Sequence, residues 1–341
     1  MFPDRQLGPH RDWSLEVEFL DRIFDHGSAY TVGKVNGDHW LLYMTNPEDM
    51  SSGSGTELSS LASSLASIQE ERWAIVSQGG LYTLPLLAPT QDYTIEIMMT
   101  HLSAKARAAF FTPDYVDSTG NSDTTPGSYA QQLSNDLGIC DIFPRHLTRL
   151  DAYSFDPCGY SSNALIKWDN RDVQLADTPA KGGEGYYTIH VTPEEGWSYA
   201  SFECNVPIAP KKRSKESKKT DNDDGIPDLR TLIQRVVRIF EPGKLTMTLF
   251  ISSAENARSS TDDDGGETAV EAAQRAFKAA LTRAPKPGVD TSNGKSAQSS
   301  MMGMNEACHA EDGLKKVYKR TDKINYEFGG YDLAFASFEM I

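Results

Sequence analysis

The sequence predicts an α+β protein built on antiparallel sheet. Segments with the composition or period-two alternation of strands outnumber segments with helical periodicity. The two kinds of segment do not alternate regularly, which argues against the repeated βαβ units of a parallel sheet. A hairpin signal, Asn36-Gly37-Asp38, separates two strand-like segments, and Asn and Gly tolerate the positive φ of tight turns between antiparallel strands.

The N-terminal part predicts a helix followed by that hairpin. Residues 14–25 place apolar side chains on one helical stripe, with charged side chains elsewhere. Residues 28–34 and 39–45 form the two predicted strands. From 47 to 68 the composition shifts to Ser and Gly, which offer little apolar surface to offset the entropy of ordering. We interpret this segment as a loose insertion.

The rest of the chain predicts more strands, a few helices and two further polar segments. The predicted strands are 72–78, 81–87, 93–99, 148–155, 186–191, 197–204, 246–252 and 331–338. The predicted helices are 103–111, which Ser103 can cap, 126–137 and 228–240, the clearest helix of the chain. Residues 211–224 and 259–312 read as polar insertions, the second with a helical patch over 270–281.

Charge and composition narrow the possible functions. The chain has 48 acidic and 33 basic residues and a net charge of −15, which argues against a nucleic-acid partner and favours a cationic ligand. No apolar run approaches the ~20 residues needed to cross a bilayer. Cys140, Cys158, Cys204 and Cys308 are far apart, so neither a metal site nor a disulfide framework is predicted. We therefore expect a cytoplasmic protein without membrane contact.

Two short segments carry side chains suited to chemistry. Cys158 and Ser161 flank Gly159, so a turn could direct the thiol and the hydroxyl to one site; a buried Cys and a turn-capping Ser would look the same. His190, Thr192 and Glu194 occupy alternate positions, which on a strand share a face. That face is either an acid–base array or a solvated surface.

A second polar stripe is formed by Asp92, Thr94 and Glu96, with apolar residues at the intervening positions. Carboxylates at this spacing repel each other unless a cation lies between them, and Glu203 could complete such a site. An ordinary amphipathic strand has the same pattern. The residues alone leave both interpretations open.

Taken together, these segments resemble eukaryotic S-adenosylmethionine decarboxylase, and the long insertions are most similar to those of a fungal member. The phrases that carry the resemblance include Phe155-Asp156-Pro157-Cys158-Gly159-Tyr160-Ser161 and Tyr187-Thr188-Ile189-His190-Val191-Thr192-Pro193-Glu194. Further matching phrases occur in family order at 8–11, 30–34, 38–40, 94–99, 198–203 and 244–250.

The resemblance implies an αββα four-layer sandwich of two antiparallel-sheet halves, the first half incomplete. Residues 1–48 would be the remnant of the first half and 49–70 an insertion. Residues 71–341 would form the second half, with polar insertions at 209–226 and 255–312. The implied activity is decarboxylation of S-adenosylmethionine with a pyruvoyl cofactor, which supplies spermidine and spermine biosynthesis.

The resemblance also implies roles for individual residues. Phe155 would stack on the adenine, Cys158 would line the substrate site and Glu194 would bind the ribose hydroxyls. Ser161 and His190 would assist the self-cleavage that makes the pyruvoyl group: Ser161 holds the ester-forming intermediate, and His190 removes the α proton of the precursor serine. Putrescine, a dication, would bind at the remaining matched positions, which are Asp92, Thr94, Glu96, Glu203, Phe250 and Tyr331.

The family's precursor serine and its proton-donor cysteine lie upstream of the segment that matches Met1, and neither has a counterpart in this sequence. Decarboxylation in the family needs the pyruvoyl carbonyl to form a Schiff base. We therefore expect a truncated product that is inactive and poorly soluble alone. The alternatives are a catalytically dead paralogue that pairs with a complete decarboxylase chain, and a putrescine-binding module. A homodimer, as in other members, is also compatible with the sequence.

Overall fold

The computed structural model describes most of the chain outside the polar segments. The described residues are 8, 11–37, 39–45, 93–112, 125–169, 182–208, 225–253, 256–257, 267–282, 317–328 and 330–341. They belong to two compact units, residues 1–90 and 91–341. The strands expected at 72–78 and 81–87, the 47–68 insertion and the domain boundaries expected at 48/49 and 70/71 lie outside them.

The first unit contains the predicted helix and hairpin. Helix α1, Trp13–Asp21, begins after Asp12, whose carboxylate accepts a hydrogen bond from the Ser14 N–H at 2.8 Å. It ends before the predicted residue 25, because the next residues form a turn. Strands β1, Gly27–Gly33, and β2, His39–Thr45, pair in antiparallel register, which confirms the hairpin.

The second unit is organised on an eight-stranded sheet with the order β4-β5-β6-β7-β3-β8-β10-β9. Every pair of neighbouring strands is antiparallel, which confirms the predicted α+β class. The strands are β3 (Tyr93–Leu102), β4 (Thr148–Ser154), β5 (Tyr160–Trp168), β6 (Gly183–Thr192), β7 (Tyr199–Cys204), β8 (Pro242–Ser252), β9 (Tyr318–Phe328) and β10 (Tyr331–Met340).

Four helices whose bounds lie within the described residues accompany this sheet, and the main hydrophobic core lies between its inner face and the longer ones. They are α2 (Ala104–Ala108), α3 (Pro126–Asp136), α4 (Leu229–Phe240) and α5 (Ala269–Leu281). Strand β3 shows how the sequence sorts the two faces: Ile95, Ile97 and Met99 are fully buried against the helices. The alternate residues Thr94 and Glu96 are partly exposed on the opposite face, called the outer face below.

The apolar stripe that predicts helix α4 packs this helix into the hydrophobic core. Its six apolar residues at helical spacing are buried, and each fully buried side chain of this kind stabilises the fold by about 1.5–3 kcal/mol. Asp228 caps the first turn, accepting from the Thr231 N–H at 2.8 Å. The helix ends at Glu241, whose φ of 44° is left-handed, and Pro242 then starts β8.

The sequence does not predict strands β5 and β9, and helix α5 lies within a segment that reads as polar. In β5 the inward positions include Ser162 and Ala164, whose small or polar side chains weaken the apolar alternation. Strand β9 is an edge strand rich in charged residues. Helix α5 confirms the patch expected at 270–281, and it contributes Phe277 and Leu281 to the core.

Candidate functional site

Ser161 and His190 form a hydrogen-bonded pair on the outer face of the sheet. They lie directly opposite each other on β5 and β6, and Ser161 Oγ is 2.9 Å from His190 Nδ1. Their neighbours Tyr160, Ile189 and Val191 are buried on the inner face, and this burial turns the hydroxyl and the imidazole outward. The alternation predicted for His190 therefore places it beside a hydroxyl that can exchange a hydrogen bond with it.

The turn between β4 and β5 carries Phe155 and Cys158 and is fixed by main-chain hydrogen bonds. The Phe155 N–H donates to the Gly159 carbonyl at 3.0 Å, and the Gly159 N–H donates to the Phe110 carbonyl at 2.9 Å. The Thr112 hydroxyl donates to the Phe155 carbonyl at 2.9 Å. Gly159 has a φ of 113°, a conformation that other residues rarely adopt. These hydrogen bonds fix the backbone of the turn and therefore the positions of the Cβ atoms of Phe155 and Cys158.

Cys158 and Glu194 meet at the same end of the sheet. Burial, followed by the negative charge of Glu194 and a hydrogen bond to it, raises the pKa of the Cys158 thiol. The thiol thus stays protonated at neutral pH and is a poor nucleophile. Glu194 Oε2 is buried and accepts no hydrogen bond from any described residue. An unsatisfied buried carboxylate oxygen is a ready acceptor for a ligand hydroxyl.

Glu194 lies past the end of β6, which stops at Thr192, so its position does not follow from strand alternation with His190. The segment that carries it is attached to helix α2 through Arg107. The guanidinium donates to the Pro193 carbonyl at 3.4 Å and lies 4.0 Å from a carboxylate oxygen of Glu195. The hydrogen bond to the Pro193 carbonyl restrains the backbone next to Glu194.

An exposed aromatic pair borders the Ser161–His190 pair. Tyr153 and Phe155 have relative exposures of 49% and 46%, their ring centroids are 5.0 Å apart, and the ring planes meet at 63°. Tyr153 lies directly opposite Ser161 in the β4–β5 register. Sequence reasoning missed Tyr153, although an aromatic residue two positions before Phe155 could have indicated it.

A second cluster on the outer face consists of two carboxylates, called the acidic pair below. Glu96 on β3 lies directly opposite Glu203 on β7, and the Tyr186 hydroxyl donates to Glu203 Oε1 at 2.7 Å. Burial, together with the negative charge of Glu203, raises the pKa of Glu96 to about 7. Sequence reasoning missed Tyr186; its position four residues before His190 on the same strand is the signal that could have found it.

The aromatic residues expected beside the acidic pair are also on this face. Thr94 lies opposite Phe250 in the β3–β8 register, and the rings of Phe250 and Tyr331 stack with centroids 4.8 Å apart. Five of the six residues that the resemblance leads us to expect in a putrescine site are thus on adjacent strands. The sixth, Asp92, lies outside the described residues.

The two clusters are neighbours on one surface. His190 lies opposite Ser201 on β7, and Thr188, two residues before His190, lies opposite Glu203. No group of three or more His, Cys, Asp or Glu side chains within the described ranges could hold a metal ion. No helix among those ranges is long and apolar enough to cross a membrane.

Comparison with known proteins assigns the chain, with its antiparallel fold and its two side-chain clusters, to a family. The chain belongs to the adenosylmethionine decarboxylase family, whose model matches residues 1–339. Among similar proteins is the S-adenosylmethionine decarboxylase proenzyme of Saccharomyces cerevisiae, 27% identical over 266 residues, covering 75% of this chain and 53% of the relative. The proenzyme of Dictyostelium discoideum is 31% identical over 248 residues, covering 73% and 43%.

The proenzyme of Xenopus laevis is 29% identical over 258 residues, covering 76% of this chain and 52% of the relative. The chain thus spans about half the length of the curated relatives it matches. A similar solved structure is the Trypanosoma brucei AdoMetDC-delta26 monomer. It is 15% identical with a TM-score of 0.47, and the match covers 100% of this chain and 83% of the other.

Proposed function

We propose that this chain forms one side of the active site of an S-adenosylmethionine decarboxylase. This side assists self-processing and binds the substrate. The observation that carries the proposal is the Ser161–His190 pair at 2.9 Å, on the same sheet as the turn that brings Cys158 to Glu194. A hydroxyl, an imidazole, a neutral thiol and a half-buried carboxylate suit proton transfer and recognition of a ligand hydroxyl.

The hydrogen bond between Ser161 and His190 has a consequence for proton transfer. When Nδ1–H donates to Ser161 Oγ, the neutral imidazole keeps Nε2 as its proton acceptor. His190 can then take the α proton of a precursor serine through Nε2. In the same arrangement the Ser161 hydroxyl still has a proton to donate, so it can hold an oxygen of the chain segment that is cleaved.

Recognition of S-adenosylmethionine would fall to the turn and to Glu194. The Phe155 ring is about half exposed on a fixed backbone, which suits stacking on a purine. The buried Glu194 Oε2 can accept a hydrogen bond from a ribose hydroxyl. The Cys158 thiol, kept protonated, would line the site beside them.

A pyruvoyl group, when bound, supplies a carbonyl that forms a Schiff base with the substrate amine and withdraws electrons as carbon dioxide leaves. The donor set fits processing to such a group, because the outward-facing Ser161 and His190 are the hydroxyl and base that this chemistry uses.

Calorimetric titration of the 341-residue chain with S-adenosylmethionine tests this function. We expect Phe155→Leu to weaken binding at least about fivefold, because base stacking is lost. Glu194→Gln should weaken it about tenfold, because a charge-assisted hydrogen bond is lost. Glu184→Gln, at the opposite end of β6 from the segment that carries Glu194, is the matched control. Absence of binding by the wild type, or equal affinity of all variants, contradicts the proposal.

We further propose that the acidic pair binds putrescine. Two carboxylates directly opposite each other on neighbouring strands are destabilising unless a proton or a cation reduces their repulsion. A diammonium ion neutralises both, and the stacked rings of Phe250 and Tyr331 offer aromatic surface for its methylene groups and charge. This second site would act as a cation-binding regulator beside the first.

Titration with putrescine at several pH values tests the second site. Because Glu96 must lose its proton to attract a dication, affinity should rise as the pH passes through about 7. Glu96→Gln should flatten this pH dependence and weaken binding, whereas Glu339→Gln on β10 should change neither. Lack of any heat or thermal stabilisation by putrescine would exclude the site.

A further inference from the structure

We propose that Tyr153 is a positioning residue that orients the Phe155 ring for a purine. The inference rests on the proposed function of Phe155 and adds a specificity-determining residue to it. It follows from three observations: the contact between the two rings, the restraint of the Phe155 backbone, and the place of Tyr153 on the edge strand of the sheet.

The first observation is the geometry of the aromatic pair. A centroid distance of 5.0 Å and an interplanar angle of 63° are within the edge-to-face range that aromatic quadrupoles prefer. Both side chains are nevertheless about half exposed. Each ring therefore keeps accessible surface after making this contact, and that surface is available to a planar ligand.

The second observation concerns what fixes Phe155. Its N–H and its carbonyl are both hydrogen bonded, at 3.0 Å to Gly159 and at 2.9 Å to Thr112, so the main chain is held from two sides. The ring is less restrained, because it is exposed and Gly159 presents no side chain to it. The contact with Tyr153 limits the remaining rotation of the Phe155 ring.

The third observation is the location of Tyr153 in the sheet. It lies opposite Ser161 and therefore on the same face as the Ser161–His190 pair. Strand β4 is at one end of the eight-stranded order, so Tyr153 forms the border of the site. A purine stacked on Phe155 would have the Tyr153 ring beside it and would find both rings already in place.

Preorganisation of this kind increases affinity because the ligand does not have to order the ring on binding. We expect Tyr153→Leu to weaken binding of S-adenosylmethionine about threefold to tenfold, the range of a single aromatic contact. Binding of 5′-methylthioadenosine, which keeps the base and lacks the amino-acid part, should weaken by the same factor. Tyr153→Phe retains the ring and should restore affinity for both ligands.

The experiment is calorimetric titration of the full 341-residue chain and its variants with these two ligands. Tyr326→Leu is the matched control, because Tyr326 contacts Phe328 in another aromatic pair at the opposite end of the sheet. The expected result is a loss with Tyr153→Leu, recovery with Tyr153→Phe and no change with Tyr326→Leu.

Three results would overturn the assignment of Tyr153. The first is wild-type affinity in Tyr153→Leu, which removes the positioning role and leaves the proposed function intact. The second is an equal loss in Tyr153→Phe, which would assign the effect to the hydroxyl rather than the ring. The third is the absence of binding of either ligand to the wild type, which rejects the proposed function together with this inference.

Discussion

Glu96 illustrates how the fold changes the chemistry of a single residue. It lies directly opposite Glu203 on the neighbouring strand. Burial together with this second negative charge raises the pKa of Glu96 from 4.5 to about 7. Between these two values the folded chain binds more protons at this carboxyl than the unfolded chain. The folded state therefore loses stability as the pH rises through this range.

Ionisation of Glu96 should lower the free energy of unfolding on the order of 3 kcal/mol between about pH 4.5 and about pH 7. Glu96→Gln cannot ionise, so the difference in stability between this variant and the wild type should change by that amount over the same range. Urea unfolding at both ends of the range measures it. Glu327→Gln, an exposed carboxyl on β9, is the control. Parallel pH profiles for wild type and Glu96→Gln would contradict the prediction.

Local sequence patterns place residues of the candidate site on a common face, but they do not fix the register between strands. The alternation around Glu96 predicted that Thr94 and Glu96 share a face, as they do. The position of Glu203 opposite Glu96 depends on the register of two strands far apart in sequence, which local patterns do not encode. Local patterns do not predict the contact between Cys158 and Glu194 either, because Glu194 lies past the end of β6.

At the scale of elements, the turn between β4 and β5 requires glycine. Gly159 has a φ of 113°, and a Cβ there would lie 3.5 Å from the Val191 carbonyl oxygen. We expect Gly159→Ala to cost about 1–3 kcal/mol, because a side chain strains this conformation. It should also weaken S-adenosylmethionine binding, since the turn carries Phe155.

Gly127 provides the matched control for this prediction. It lies in helix α3, where an added Cβ would meet only the Ala152 carbonyl at 4.0 Å. Gly127→Ala should therefore be neutral or stabilising by up to about 1 kcal/mol. Urea unfolding measures both variants. Equal stability of Gly159→Ala and the wild type would show that the turn tolerates a side chain.

Elements were predictable where one face is strongly apolar. Helix α4 shows a continuous apolar stripe with a capping Asp228, and its predicted and observed bounds agree within one residue. Strand β5 buries Ser162 and Ala164, whose inward orientation depends on tertiary packing rather than on intrinsic preference. Helix α2 stops at Ala108, before the predicted residue 111, because Phe111 pairs with Cys158 instead.

At the scale of the whole molecule, apolar side chains on the outer face of the second unit favour association. Leu165 is 58% exposed on β5, and it shares this face with the aromatic pair. We expect the 341-residue chain to associate with increasing concentration, because contact between such surfaces removes apolar area from water. Sedimentation velocity over a range of concentrations measures this association.

Leu165→Lys should reduce the association, because a charged side chain opposes burial of this face. Met340→Lys is the control, since Met340 has comparable exposure, 44%, at the end of β10. A monomer at every concentration, or equal association of the two variants, would contradict the prediction.

The central position of β3 affects the order in which the chain folds. This strand comes first in the second unit, but it lies between β7 and β8, which are much later in the sequence. Hairpins form rapidly, whereas contacts between distant segments must first overcome the entropy of closing a long loop. The Ser161–His190 pair needs only the β5–β6 ladder, whereas the acidic pair must wait until β3 meets β7. The Ser161–His190 pair is therefore expected to form early during folding, and the acidic pair late.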